Sequence, residues 1–221
     1  MSARVLLSWS TGKDSAWTLH RLRQQRDLEI AGLLTTVTET FDRVSMHAVR
    51  RKILHAQAAA AGLPLVEVEI PSPCPNEVYE ARMAAAMAAA RAEGIATVAF
   101  GDLFLEDIRR YRETNLDRVG MRALFPLWKA PTDALADEMI AAGLRAIVTC
   151  VDPRQLDPSF SGRFFDAAFL ADLPSEVDPC GENGEFHTLV FDGPMFSQPV
   201  DVVRGETVER DGFVFTDVLL A

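Results

Sequence analysis

The chain has 221 residues, 48% of them hydrophobic, and 32 Asp and Glu against 22 Lys and Arg, for a formal net charge of −10. That is an ordinary globular composition, long enough for one large domain or two smaller ones with ample core. The acidic balance argues against a general nucleic-acid surface, and no apolar run approaches the ~20 residues that a membrane span needs. No basic stretch followed by an apolar signal segment opens the chain. Cys74, Cys150 and Cys180 are odd in number and form no Cys-x-x-Cys, which fits a reducing cytoplasm with inert thiols. Cys180 alone has polar neighbours that keep a functional role open.

The first apolar run, Val5-Leu6-Leu7, leads into Ser8-Trp9-Ser10-Thr11-Gly12-Lys13-Asp14-Ser15, and an amphipathic helix follows from Ala16. A strand that turns abruptly into a helix points unpaired N–H groups outward, and with the helix dipole they form an anion site. The usual mononucleotide loop, Gly-x-x-x-x-Gly-Lys-Ser/Thr, fails here, because Leu7 and Asp14 stand where its first glycine and its hydroxyl belong. No Gly-x-Gly-x-x-Gly follows a strand, so a dinucleotide site is not indicated either.

Further strands are expected at Ile30–Thr36, Leu65–Ile70, Thr97–Asp102 and Leu144–Val151. Helices are expected from Met46 to Ala61 with a stop at Gly62, from Asn76 to Gly94, over Arg109–Val119, and from Thr132 to Ala142. Met83 and Met87 read as core filling. His47 and Arg50 begin a helix and could reach phosphate, while Arg109, Arg112 and Glu113 read as ordinary surface. Alternating strands and helices, in four βα units, indicate a parallel sheet with crossover helices, whose ligands sit beyond the carboxyl ends of the strands. β-Hairpin character is expected between Phe186 and Leu220. A composition shift near Phe125 sets the expected boundary: residues 1–125 for a nucleotide-binding domain and 126–221 for a substrate-binding domain.

Ser10-Thr11-Gly12-Lys13-Asp14-Ser15 resembles the Ser-Gly-Gly-x-Asp-Ser loop of the ATP pyrophosphatases, the PP-loop enzymes, with lysine at the position where diphthine–ammonia ligases carry it. Thr11 replaces the first glycine. If a left-handed residue is needed there, a β-branched side chain is a strained choice; if only close backbone approach is needed, Thr11 adds a hydroxyl donor. The second unusual segment is Asp178-Pro179-Cys180-Gly181-Glu182-Asn183-Gly184-Glu185-Phe186-His187-Thr188. It resembles the Gly-Glu-x-Gly-Glu-Phe/Tyr-x-Thr segment of the same ligases. Alternation along the emerging strand sends Glu185, His187 and Leu189 to one face. Phe100-Gly101-Asp102, Phe125-Pro126-Leu127-Trp128 and Asp192-Gly193-Pro194-Met195-Phe196 match family segments in the same order, so the resemblance covers essentially the whole chain. His187, where the eukaryotic and archaeal ligases more often carry glutamate, resembles bacterial members.

The resemblance implies an α/β fold, with a parallel-sheet adenine nucleotide alpha hydrolase-like (PP-loop) domain followed by a smaller α+β C-terminal domain. It implies an ATP-dependent ligase that adenylates a carboxylate, releases pyrophosphate and amidates the adenylate with ammonia. ATP is then a substrate, with Mg2+ held by Asp14. Ser8, Ser10, Thr11, Gly12, Lys13, Ser15, Leu34, Thr35, Phe100, Gly101 and Asp102 would bind the nucleotide. Lys13, Asp14, Glu182, Glu185 and His187 would carry catalysis. As a polar loop residue, Lys13 should be dispensable for stability. A homodimer is compatible with these features, and the expected location is cytoplasmic, with no membrane partner. Other readings are a different adenylating PP-loop enzyme, such as a tRNA-modifying sulfurtransferase, or a non-catalytic ATP/AMP sensor.

Overall fold

A computed structural model describes residues 2–44 and 49–221. Strand β1 (Ala3–Ser8) feeds helix α1 (Lys13–Arg23), and β2 (Leu28–Thr38) follows, turning back as the two-residue β3 (Arg43–Val44). Helix α2 (Arg51–Ala61), β4 (Leu65–Ile70), α3 (Asn76–Ala92) and β5 (Thr97–Ala99) come next. Helix α4 (Glu106–Arg118) and β6 (Arg122–Leu124) complete the first sheet. The expected helix from Met46 is observed from Arg51; Met46 and His47 lie outside the described residues.

β1 pairs in parallel with both β2 and β5, β2 with β4, and β5 with β6, so the parallel strands run β4-β2-β1-β5-β6. The fifth, β6, is too short at three residues to show a period, and four βα units were expected. After β1 the chain builds toward β2, and after β4 it returns to place β5 on the other side. Connections from β1 and β5 therefore diverge and leave a crevice at the carboxyl ends of the central strands. Residues 9–12 and 100–105 border it. Side chains of β1 alternate as a strand requires: Val5 and Leu7 join the core beneath α1 and α2, and Leu6 joins the opposite one with Val98, Met87 and Leu116. Met83 packs against that second core too.

Helix α5 (Thr132–Ala141) leads to β7 (Arg145–Val151), a short α6 (Ala167–Asp172), β8 (Phe186–Asp192), β9 (Val202–Arg210) and β10 (Phe213–Leu220). These strands form an antiparallel sheet ordered β8-β7-β10-β9. Asp211 and Gly212, at φ 53° and 78°, join β9 to β10 in a two-residue turn whose left-handed residues match the strand twist. One apolar core runs from Trp9, Trp17 and Leu54 into Ile147, Phe165, Phe169, Phe186 and Leu189. The antiparallel sheet is thereby packed against the α1–α2 face of the parallel one. The crevice beyond β1 and β5 acquires a second wall. No described helix is long and apolar enough to cross a membrane.

Candidate functional site

The loop after β1 ends at Gly12, in extended conformation at φ −88°, just ahead of the first residue of α1. Ser15 Oγ donates to the Gly12 carbonyl at 2.9 Å and lies 3.2 Å from Ser10 Oγ, closing the loop on itself. Thr11 adopts φ 73°, the left-handed conformation that glycine favours. For a threonine this costs about 1–3 kcal/mol. Its hydroxyl is buried and has no hydrogen-bond partner in the protein. Gly101, two residues beyond β5, stands where no side chain fits. A Cβ there would stand 2.9 Å from the Asp14 carbonyl carbon and 3.0 Å from Ser15 N.

The antiparallel sheet completes the loop. Thr188 Oγ1 accepts from Lys13 N at 3.1 Å, taking one of the first-turn N–H groups that a helix cannot satisfy internally. Lys13 Nζ donates to the Cys180 carbonyl and to both Asp14 oxygens, at 3.0 and 2.8 Å. Lys13 is only 2% exposed, which corrects the expectation of a dispensable loop lysine. Phe165 and Phe186 rings lie 5.7 and 5.5 Å from its ammonium. Residues 178–185 are folded by their own carboxylates. Asp178 Oδ1 accepts from Cys180 N and Glu182 N; Glu185 accepts from Asp178 N, Asn183 N and Asn183 Nδ2. Gly181 sits at φ 67°, and a Cβ would come within 2.8 Å of the Phe186 carbonyl oxygen.

Between the sheets lies a cleft of about 990 Å³. Ser8, Ser10, Gly12, Lys13, Asp14, Ser15, Phe100, Gly101, Asp102, Glu182 and His187 all line it. Four expected site residues do not. Thr11 is locked in the loop interior. Leu34 is a core residue that lines a separate apolar cavity of about 230 Å³. Thr35 is buried, its hydroxyl donating to the Trp9 carbonyl at 2.8 Å. Glu185, 2% exposed, turns away from the cleft to hold the loop. Burial of the residues that flank the turn decides the last case, which strand alternation does not reveal.

Arg112, read as surface, lines the cleft instead: it contacts Asp102 at 2.6 Å and lies 4.4 Å from the Phe100 ring. Arg109 stays with Glu113 and stacks near Phe125 and Trp128. Arg50 is tied to Asp217, and Arg43 joins the same carboxylate. The cleft also has lining residues with no motif to announce them: Asp152, Arg154, Gln155, Arg210 and Phe213. Asp152, 3% exposed, receives Arg154 Nε at 2.8 Å and Nη2 at 2.7 Å. Their sequence signal is positional only, Asp152-Pro153-Arg154 directly at the carboxyl end of β7.

Titration separates the groups. Burial would lower the Lys13 pKa, but Asp14, Cys180 and Glu182 more than offset it, so the value is raised and the ammonium persists. Burial raises the Asp14 carboxyl against the pull of Lys13. Burial also pushes Glu182 up to about 7, although its carboxylate accepts from Leu103 N at 2.7 Å. Burial, reinforced by Lys13, takes His187 down to about 4, leaving a neutral imidazole. The Cys180 thiol is pushed up to about 12 by burial and donates to the Thr132 carbonyl, so it is inert. Among the described residues no group of three or more His, Cys, Asp or Glu is arranged to hold a metal ion. Asp14 alone is too small a donor set to hold Mg2+ unless a ligand supplies further oxygens.

Fold and cleft together define an α/β protein of the PP-loop type, with its phosphate loop closed by an antiparallel C-terminal domain. Residues 3–123 match the family model for the diphthamide synthase N-terminal domain, and residues 131–217 that for the diphthamide synthase C-terminal domain. The chain belongs to this diphthamide synthase, or diphthine–ammonia ligase-like, family. It is 32% identical over 120 residues to the diphthine–ammonia ligase of Bos taurus and 31% to that of Homo sapiens, matching 52% of this chain and 45% of each relative. The Schizosaccharomyces pombe ligase is 32% identical over 111 residues, which are 48% of this chain and 18% of that protein. The chain thus spans less than half the length of these relatives.

Proposed function

We propose that the protein is an ATP-dependent ligase, forming AMP and pyrophosphate, that adenylates a carboxylate and transfers the acyl group to ammonia. The observation that carries this reading is that the phosphate loop and the Cys180–Thr188 segment share one cleft and are joined through Lys13, by contacts that span 167 and 175 residues. Residues 1–125 would then hold ATP, and 126–221 would present what ATP activates. The relatives are diphthine–ammonia ligases, a name that agrees with this chemistry.

Ser10, Gly12 and Ser15 would hold the β- and γ-phosphates by N–H and hydroxyl donors at the start of α1. A carboxylate oxygen of the acceptor attacks the α-phosphorus, the bond to the β-phosphate oxygen breaks, and pyrophosphate leaves. Lys13 would stabilise the charge that develops on that leaving group. Asp14 would hold Mg2+, which when bound would supply further positive charge near the leaving group. Ammonia nitrogen then attacks the acyl carbon, AMP departs, and a proton must be taken from nitrogen. Glu182 is the better base, because a group near 7 is matched to neutral pH while His187 near 4 is too weak. His187 would orient the amine as a neutral partner. Arg154, also in the cleft lining, with its side chain 74% exposed and its fork held by Asp152, suits an acceptor that carries a further anionic group.

Pyrophosphate release measured with ATP, ammonium and a panel of carboxylic acids tests the reading. Release that requires an acid supports the ligase, and release that requires tRNA in place of an acid indicates the tRNA-modifying sulfurtransferase. Tight ATP binding with no acid-stimulated turnover identifies a sensor. At fixed free-ammonia concentration, amide formation should rise with pH to a plateau with a midpoint near 7, as the Glu182 carboxyl loses its proton. Glu182→Gln should remove that limb while leaving ATP affinity in place. A limb unchanged in the variant would assign the base elsewhere.

A further inference from the structure

Gln57 lies in α2, outside the cleft, and is 0% exposed in an otherwise alanine-rich stretch. A buried amide is costly unless its donors and acceptor are used, and here they reach three residues in two separate segments. Oε1 accepts from Trp9 Nε1 at 2.9 Å, at the start of the phosphate loop. Nε2 donates to the Thr11 carbonyl at 3.0 Å and to the Val190 carbonyl, on β8, at 2.6 Å. Val190 N donates back to the same Thr11 carbonyl at 3.0 Å. The clamp therefore closes on the one loop residue whose conformation is strained, Thr11 at φ 73°.

We infer that Gln57 is a positioning residue: it holds Thr11 in the left-handed conformation by tying the phosphate loop to β8, which makes the C-terminal sheet a structural part of the anion site. Where a glycine occupies the strained position, the left-handed conformation carries no Cβ penalty and the loop would need no such clamp. Threonine places a demand on the surroundings, and Gln57 with Val190 meets it. The loop's shape is then set by residues distant in sequence, not by the octapeptide alone. The inference rests on reading residues 8–15 as the ATP phosphate loop.

The test is a double-mutant cycle on the full chain with Gln57→Ala, Thr11→Gly and both together. Two quantities are followed: amide hydrogen exchange of segments 9–15 and 188–190 in the free protein, and ATP affinity by titration. Gln57→Ala should speed exchange in those segments and weaken ATP binding, each by about tenfold. Adding Thr11→Gly to the same chain should bring both to within about threefold of Thr11→Gly alone. A Gln57 effect of equal size with or without Thr11→Gly would show general core packing and overturn the inference, as would unchanged loop exchange in Gln57→Ala. If the wild-type protein binds no ATP, the nucleotide reading fails and the exchange cycle alone decides the role of Gln57. Should Gln57→Ala not fold, Gln57→Met keeps the volume without the donors and carries the same cycle.

Discussion

Lys13→Ala should reduce pyrophosphate release by about 10³-fold, the scale on which a single cation at a transferring phosphoryl group acts. It should also lower stability, by about 1–2 kcal/mol after allowance for the partial exposure of Asp14. The two losses have one cause. Lys13 is buried between the Asp14 carboxylate, the Cys180 carbonyl and two aromatic rings. Its removal leaves Asp14 without its cation and unties α1 from the loop before β8. Asp178 then faces Asp14 with less compensation, which raises the Asp14 carboxyl further. Lys13→Arg should not rescue activity, because a planar fork cannot occupy the small site between Cys180 and Asp14. Turnover assays paired with thermal denaturation separate the two effects. Wild-type activity in Lys13→Ala would remove the loop from the mechanism.

Gly101→Ala should weaken ATP binding by about 10²-fold while the protein remains folded. The new methyl would meet backbone atoms, Asp14 C at 2.9 Å and Ser15 N at 3.0 Å, which have no rotamer into which to retreat. Relief requires the start of α1 to move away from the exit of β5, and that displaces the N–H groups presented to phosphate. The collision is local, so circular dichroism should show both sheets intact. Titration with ATP is the deciding measurement; unaltered affinity would mean that the first turn of α1 does not hold the phosphates. Residue 101 thus acts through shape alone. Its role is separable from that of Lys13, which acts through charge.

Much of the first sheet is visible in local pattern. Val5-Leu6-Leu7 followed by a hydroxyl-rich turn signals a strand entering a helix, and Leu65–Ile70 shows its period-two alternation. β6 escapes because three residues carry no period, and its pairing with β5 is a long-range event. The site is legible in part. Ser10, Gly12, Lys13, Asp14, Glu182 and His187 announce themselves through motifs and do line the cleft. Glu185 belongs to the same motif, yet its oxygens serve Asp178 and Asn183, since a carboxylate that folds its own loop has the same spacing as one aimed at a ligand. Asp152, Arg154 and Arg112 carry no motif. They reach the cleft because β7 ends there and because α4 crosses above Phe100.

The sequence by itself determined the features on which the proposed chemistry rests: a phosphate loop at the end of a first strand, a second polar segment near the C-terminus, and the family to which both belong. Local residues specify those features, since a turn, a cap and a charge need only neighbours in the chain. Only the tertiary structure decided how the loop is held. Thr11 adopts a conformation that threonine resists, and the hydrogen bonds that keep it there come from Gln57 and Val190. Lys13 becomes a buried cation only when residues 178–188 fold over it. These are contacts between segments far apart in sequence, where packing and desolvation, not local propensity, set the energy.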